Sequence, residues 1–282
     1  MTHLRKYNNP KLFWKETSPY LKKEEAKNSL CLGLSYNFQI QPNDCLFQAA
    51  LFDDQSLLGS LTCSQYRTDR TLITTPVSGV QAAKKLFDEF CASKIEITGI
   101  VGELKTVRIY EKLLHNFGKK TQLHMIQGIY RCKHVVLPSH SDEFNFRVAT
   151  TSDVRTIGKW IEEFRHEAVP HDPPVNGLKL ASIKIEGQMI YVIEDSSQIV
   201  SMAGLSRDIE TSCSVNLVYT PPQYRKRGYG SIITAKLTQK LLADGKLETN
   251  LYTDMNNPTS NKIYQDIGYQ FVADSLHLGI SN

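Results

Sequence analysis

The sequence predicts an α/β chain, with strands of a mixed sheet and helices, arranged as two similar halves. Three observations predict this. Strand-like and helix-like stretches alternate along the whole chain instead of separating into blocks. One stretch, 215–242, reads as a buried strand, a proline-closed turn and an amphipathic helix. The order strand, strand, strand, helix, strand, helix, strand in the first 134 residues nearly recurs after residue 145, as an internal duplication would produce.

The elements follow in order. Residues 11–30 are predicted helical, with Leu12, Phe13, Tyr20 and Leu21 set among lysines and glutamates. Strands are predicted at 45–52, 56–63 and 71–74, the first two joined by a hairpin turn at Asp53-Asp54-Gln55. A helix near 80–92, a strand at 95–101, a helix near 103–117 and a strand at 122–132 complete the first half. The stretch after it turns polar and reads as a linker, which gives an N-terminal domain at 1–134, a linker at 135–144 and a C-terminal domain at 145–282. In the second half, 146–150 reads as a strand. Thr151-Ser-Asp-Val opens a helix with a capping residue, and the helix runs on through Trp160, Ile161, Phe164 and Glu167. Three prolines stiffen the loop 169–175, and a short helix is predicted near 177–185. Strands at 189–194 and 198–206 flank Asp195-Ser-Ser. The last strand, 269–278, is expected to close the C-terminal domain.

The stretch at 215–242 carries the chemistry. Val215, Leu217, Val218 and Tyr219 favour a strand, and Pro221 and Pro222 end it because neither has an amide hydrogen for the ladder. Gly228 and Gly230 then permit unusual backbone angles and close approach by a ligand. Ile232, Ile233, Ala235, Leu237, Leu241 and Leu242 recur at helical spacing. Free amides at that helix start, beside Arg225, Lys226 and Arg227, suit a pyrophosphate. Alone, such a loop is as often a solvated glycine-rich turn. A second stretch follows, Leu251-Tyr-Thr-Asp-Met-Asn-Asn-Pro-Thr-Ser-Asn-Lys-Ile-Tyr-Gln-Asp-Ile-Gly-Tyr269, a strand leading into a helix that carries Asn257, Ser260 and Tyr264.

Together, Arg225-x-x-Gly228-x-Gly230 and the second stretch resemble the GNAT acetyltransferase superfamily. The resemblance implies a GNAT fold in the C-terminal half, its central sheet splayed to admit acetyl-coenzyme A, preceded by a degenerate GNAT-like half. By position, Val218, Tyr219 and Thr220 would line the pantetheine arm. The backbone of Lys226, Arg227, Gly228, Tyr229, Gly230 and Ser231 would cradle the pyrophosphate, with charge from Arg225 and Arg227. Asn257 would bond the pantetheine and Ser260 would pack near it. Tyr264 would act as the acid that protonates the departing thiolate, a role that a modestly lowered phenol could fill. The implied activity is N-acetyltransfer from acetyl-coenzyme A to a primary amine of a small molecule, amino acid or peptide, directly in a ternary complex. Glycine acyltransferase-like proteins also pair an accessory N-terminal half with such a domain.

Two departures from the family pattern bear on mechanism. Ser214 stands where many relatives place a glutamate base, and Glu162, Glu163, His166, Glu167, His171 and Asp172 are more commonly solvated surface groups than bases. The absent glutamate also favours an alternative, a non-catalytic acyl-coenzyme A sensor. In the first half, Thr75-Pro-Val-Ser-Gly-Val80 holds no basic residue and Glu103 stands opposite Asn257, so cofactor binding is expected only in the second half.

Composition sets the remaining expectations. A net charge of +4 is too slight to imply nucleic acid. Six scattered cysteines show no C-x-x-C pair or zinc spacing, so no metal is expected and the thiols read as reduced. No apolar run would span a bilayer and the start is polar, which points to a cytoplasmic protein without membrane partners. The expected partners are acetyl-coenzyme A and an amine acceptor, and the composition is compatible with a homodimer.

Overall fold

The structure, a computed structural model, describes residues 2–54, 56–66 and 69–281. Gln55, in the expected hairpin turn, lies outside them. Contacts divide the chain into two compact units. One contains the chain up to Ile129 together with the residues from Val272 onward, and the other is Tyr130–Phe271.

The first unit opens with β1 (His3–Lys6), exposed along its whole length, which explains why no hydrophobic pattern announced it. It pairs antiparallel with β2 (Cys45–Phe52). Between them lie α1 (Pro10–Leu21) and α2 (Glu25–Phe38), so the single helix expected at 11–30 is two helices that reach Phe38. Asn9 caps α1, its side chain accepting from the Lys11 amide at 2.9 Å, with Pro10 in the first turn. Next come β3 (Leu57–Tyr66), β4 (Asp69–Thr74), α3 (Val80–Ala92), β5 (Gly99–Glu103), α4 (Leu104–Asn116) and β6 (Lys120–Cys132). Phe47, Leu61, Leu72 and Ile100 of the sheet form a core with Leu86 and Phe87 of α3 and Val107 and Tyr110 of α4.

The second unit holds β7 (Asn145–Val148), α5 (Val154–Ala168), α6 (Gly177–Glu186), β8 (Ile190–Asp195), β9 (Gln198–Ser206), β10 (Ser212–Tyr219), α7 (Tyr229–Ala243), β11 (Glu248–Asp254) and α8 (Pro258–Asp266). Its strands lie in the order β11-β10-β9-β8-β7. The capping signal before α5 is a reciprocal box between Thr150 and Asp153, with a short 3-10 turn between cap and helix. Ser196 and Ser197 both take positive φ, as a tight two-residue turn between β8 and β9 requires. One sheet face packs Ile157 and Ile161 of α5 and Ala181 of α6 on Ile190, Val192 and Met202. The other packs Ile232, Ile233 and Leu237 of α7 on Ile193, Val200, Cys213 and Val215. At the crossing of α5 and α6 a Cβ on Gly177 would sit 2.1 Å from the Gly158 carbonyl oxygen, so only glycine permits this approach.

The final strand, β12 (Gln270–Ser281), differs in its destination from the expectation. It pairs antiparallel with β5, from Ser275↔Glu103 to Gly279↔Gly99, and from Val272 onward it belongs to the first unit. The compact units therefore divide inside β6 and β12, and the polar stretch 135–144 lies within the second. None of the six cysteines is in a disulfide. Among the described residues no helix is long and apolar enough to cross a membrane.

Candidate functional site

In the second unit two neighbouring strands separate. β10 and β11 pair in parallel at Ser212↔Glu248, Cys213↔Thr249 and Ser214↔Asn250, and the pairing stops there although both strands continue. On its other side β10 shifts register against β9 between Asn216 and Tyr219. Leu217, at φ 48°, forms this bulge, which bends the strand and frees main-chain groups from the ladder. Val218, Tyr219 and Thr220 thus lie along an opening. The corresponding strands of the first unit stay closed. β4 and β5 pair from Thr71↔Gly99 to Thr74↔Gly102, and a Cβ on Gly102 would lie 2.6 Å from the Thr74 carbonyl oxygen.

The loop after β10 leads to the start of α7. Gly228 caps this helix in the left-handed region at φ 80°, and Lys226 is left-handed as well at φ 64°. The first helical bond runs from the Ile232 amide to the Gly228 carbonyl at 3.1 Å, so the amides of Tyr229, Gly230 and Ser231 precede it and are the unsatisfied donors of a helix start. A Cβ on Gly228 would meet only Ile232, at 4.0 Å, so conformation rather than crowding demands glycine here. In the first unit Gly79 caps α3 likewise, at φ 87°, but a loop without basic residues precedes it.

The side chains of the loop divide in role. Arg225 turns back onto α5. Its Nε donates to the Thr220 carbonyl (2.9 Å), its Nη2 pairs with Glu167 (2.6 Å), and it lies 5.7 Å from the centroid of the Tyr219 ring. Tyr229 is a core side chain, edge-on to Phe144, whose hydroxyl donates to Asp195. That bond, with Arg227's charge also contributing, holds the Asp195 carboxyl below its ordinary value.

On α8, the side-chain Oδ1 of Asn257 caps the helix by accepting from the Ser260 amide (3.1 Å). Tyr264 stands two turns on and so on the same face. Its ring packs edge-on to Tyr269 at 6.1 Å. Burial pushes its hydroxyl up to about 12, with a hydrogen bond to Ser260 opposing the shift, rather than lowering it as the sequence suggested.

The acids of α5 separate as well. Glu162 accepts from the Gly177 amide (2.8 Å), and Asp172 pairs with Arg165 (3.3 Å), so both serve the α5–α6 connection. Glu163 and Glu167 both accept from the Tyr219 hydroxyl, each at 3.1 Å. Desolvation first, then these two charges, push that hydroxyl upward. Trp160 is buried in the core beside Tyr219, with Phe164 packed against it. Ser214 is fully buried and its hydroxyl donates to Asn250 Oδ1. Asn250, Asn216, Ser206 and Arg207, all near this point, carry no sequence signal: they are isolated polar residues whose importance appears only when the strands assemble.

Residues 155–269 match the family model described as acetyltransferase (GNAT) family. The C-terminal half thus contains a stretch that matches the GNAT family. Among solved structures, a Drosophila protein superposes with a TM-score of 0.68 at 12% identity, covering 99% of this chain and 98% of the other. A GCN5-related N-acetyltransferase from Sphaerobacter thermophilus gives 0.61 at 11% identity, over 99% and 95%. A tandem GNAT protein from the clavulanic acid biosynthesis pathway gives 0.56 at 6% identity, over 100% and 98%. No curated protein matches the sequence. The fold is thus a two-half GNAT fold.

Proposed function

We propose that the C-terminal half transfers an acetyl group from acetyl-coenzyme A to a primary amine, directly in a ternary complex. The observation that carries this reading is the opening of β10 from β11 beyond Ser214–Asn250, which ends beside the glycine-capped start of α7. An extended pantetheine arm fits such an opening as an added strand would, with Val218 and Thr220 offering main-chain groups. The helix-start amides from Tyr229 to Ser231 suit the pyrophosphate, with positive charge from Lys226 and Arg227. Arg225, held by Glu167 and Thr220, would shape the loop unless the phosphates draw it away from Glu167. The side-chain Nδ2 of Asn257 lies outside its capping bond and can donate to the pantetheine. Tyr264, neutral at physiological pH, can supply the proton that coenzyme A needs on leaving. The amine's proton would pass to solvent or through Tyr219 toward Glu163 and Glu167. A single site is proposed, because β4 and β5 stay paired in the first unit.

A non-catalytic acyl-coenzyme A sensor is the second reading, and the buried Ser214–Asn250 pair at the position of a base favours it. Calorimetric titration with acetyl-coenzyme A tests the shared part of both readings, with one site per chain expected. Thiol release on adding amine acceptors separates them, since a sensor would bind without turnover.

A further inference from the structure

The acceptor is not specified by that reading, and a polar row in the second unit bears on it. Ser206, Ser214 and Asn250 are direct partners across β9, β10 and β11, so their side chains share one face of the sheet. Asn216, two residues beyond Ser214, shares it opposite Gly204, on the side of Ile190 and Leu217 that α5 and α6 cover. Arg207 follows the end of β9 with φ 49°, and that left-handed turn lays its guanidinium 4.4 Å from the ring centroid of Tyr252, two residues after Asn250.

Buried polar groups are normally hydrogen-bonded. In this row Asn250 Nδ2, Arg207 Nη1, Ser206 Oγ and Asn216 Oδ1 are buried and bonded to no protein atom, and Asn250 is fully buried. Three of these groups can donate, and Asn216 Oδ1 can only accept. Of the nearby acids, Asp208 pairs with Lys246, and Glu248, two residues before Asn250 on the same face, pairs with Lys133. Burial disfavours the charged form of Arg207, so the site gains from an anion.

The order of groups along β10 gives the row a direction. A donor with its phosphates at the α7 loop points its thioester toward the closed end of the opening, at Ser214 and Asn250. From the loop inward come Val218, the Leu217 bulge, the accepting Asn216, and then the donors. We propose, resting on the acyl-transfer reading, that this row is the acceptor site and that the acceptor is a compact amine bearing a carboxylate. Its amine lies toward Asn216 and its carboxylate on Arg207, Asn250 and Ser206. The neutral amine nitrogen attacks the thioester carbon, the carbon–nitrogen bond forms, and the carbon–sulfur bond breaks. The nitrogen gives up a proton to solvent, and coenzyme A leaves as a thiolate that takes one up.

The test uses the full chain and a panel of free amino acids, each paired with its carboxamide, scored by thiol release from acetyl-coenzyme A. A charge-assisted hydrogen bond predicts that kcat/KM favours the acid over its amide by about tenfold or more. Arg207→Met should bring that ratio within about threefold of one, and Arg207→Lys should keep part of it. Acetyl-coenzyme A affinity by calorimetry should stay unchanged in both variants. The ratio is taken within one protein, so a reduced folded fraction cancels. Equal rates for acid and amide, or the wild-type ratio persisting in Arg207→Met, would overturn the proposal. So would a wild-type protein that binds acetyl-coenzyme A yet acetylates none of the acids. Failure to bind acetyl-coenzyme A at all would instead remove the acyl-transfer reading, and this proposal with it.

Discussion

Replacing Tyr264 by phenylalanine isolates one proton. The ring keeps its packing against Tyr269, and only the hydroxyl and its bond to Ser260 are lost. Burial holds that hydroxyl at about 12, whereas a free thiol titrates near ~8.5. Moving the proton from Tyr264 to a free thiolate is therefore uphill by about 3.5 pKa units, or roughly 5 kcal/mol. That cost is offset if the proton moves as the carbon–sulfur bond breaks, because collapse of the tetrahedral adduct to the amide drives the same step, and solvent then reprotonates Tyr264. General acid catalysis of this kind contributes at least about a hundredfold, so kcat should fall by about that factor. Acetyl-coenzyme A affinity should change by less than about threefold, and fold stability by less than about 1 kcal/mol. Steady-state thiol release and calorimetry give the two numbers. The pH profile gives a third: an acid this weak stays protonated through pH 10, so kcat should show no falling limb from it in that range. Turnover within twofold of wild type would remove Tyr264 from the mechanism. A falling limb near pH 9 that vanishes in the variant would refute the raised hydroxyl in the working complex.

The other perturbations address the loop and the frame. Gly228→Ala places a Cβ in open space but in a left-handed backbone, and should cost about 1–2 kcal/mol of stability by thermal unfolding. Gly228→Glu adds like charge where the phosphates are proposed to lie, and should abolish acetyl-coenzyme A binding; retained affinity would sink the loop assignment. Gly177→Ala forces α5 and α6 apart against the Gly158 carbonyl and should destabilise by about 1–3 kcal/mol, so unchanged melting would contradict the close crossing. Arg147 bonds both Asp153 (2.7 Å) and Glu194 (2.6 Å), so Arg147→Met should cost about 2–3 kcal/mol by leaving two carboxylates unpaired. Burial opposes ionisation of Asp153, but bonds from Arg147 and Thr150 outweigh it, and bonds from Arg147 and Asn145 hold Glu194 low. Both folded values lie below the ordinary carboxylate range, so this stability is present above about pH 4–5 and lost as pH falls through the lowered values. Denaturation followed against pH should show a shallower acid limb in the variant.

By itself the sequence determined the element order from β2 onward, the motif at 225–230 and the second motif around Asn257 and Tyr264. Each is written locally. Prolines and glycines fix turns within a few residues of themselves, and the apolar repeat of α7 announces which face is covered. The left-handed Gly228 needed no distant partner to be read, whereas Asn257, expected on the helix as a pantetheine ligand, proves to be its cap. β1 was not legible, because an exposed strand carries no apolar alternation, and the division of α1 from α2 was hidden by a continuous helical composition.

Tertiary structure alone decided three things. The pairing of β12 with β5 rests on main-chain hydrogen bonds, which any strand can offer to any other, so nothing in 270–281 names its neighbour. The orientation of Arg225 toward Glu167, and of the α5 acids toward Tyr219, depends on how α5 crosses β10. The polar row of Ser206, Arg207, Ser214, Asn216 and Asn250 spans about forty-five positions of the chain, and each residue alone is an ordinary polar side chain. Only strand register sets them side by side, and only burial makes an unbonded donor costly enough to indicate a ligand.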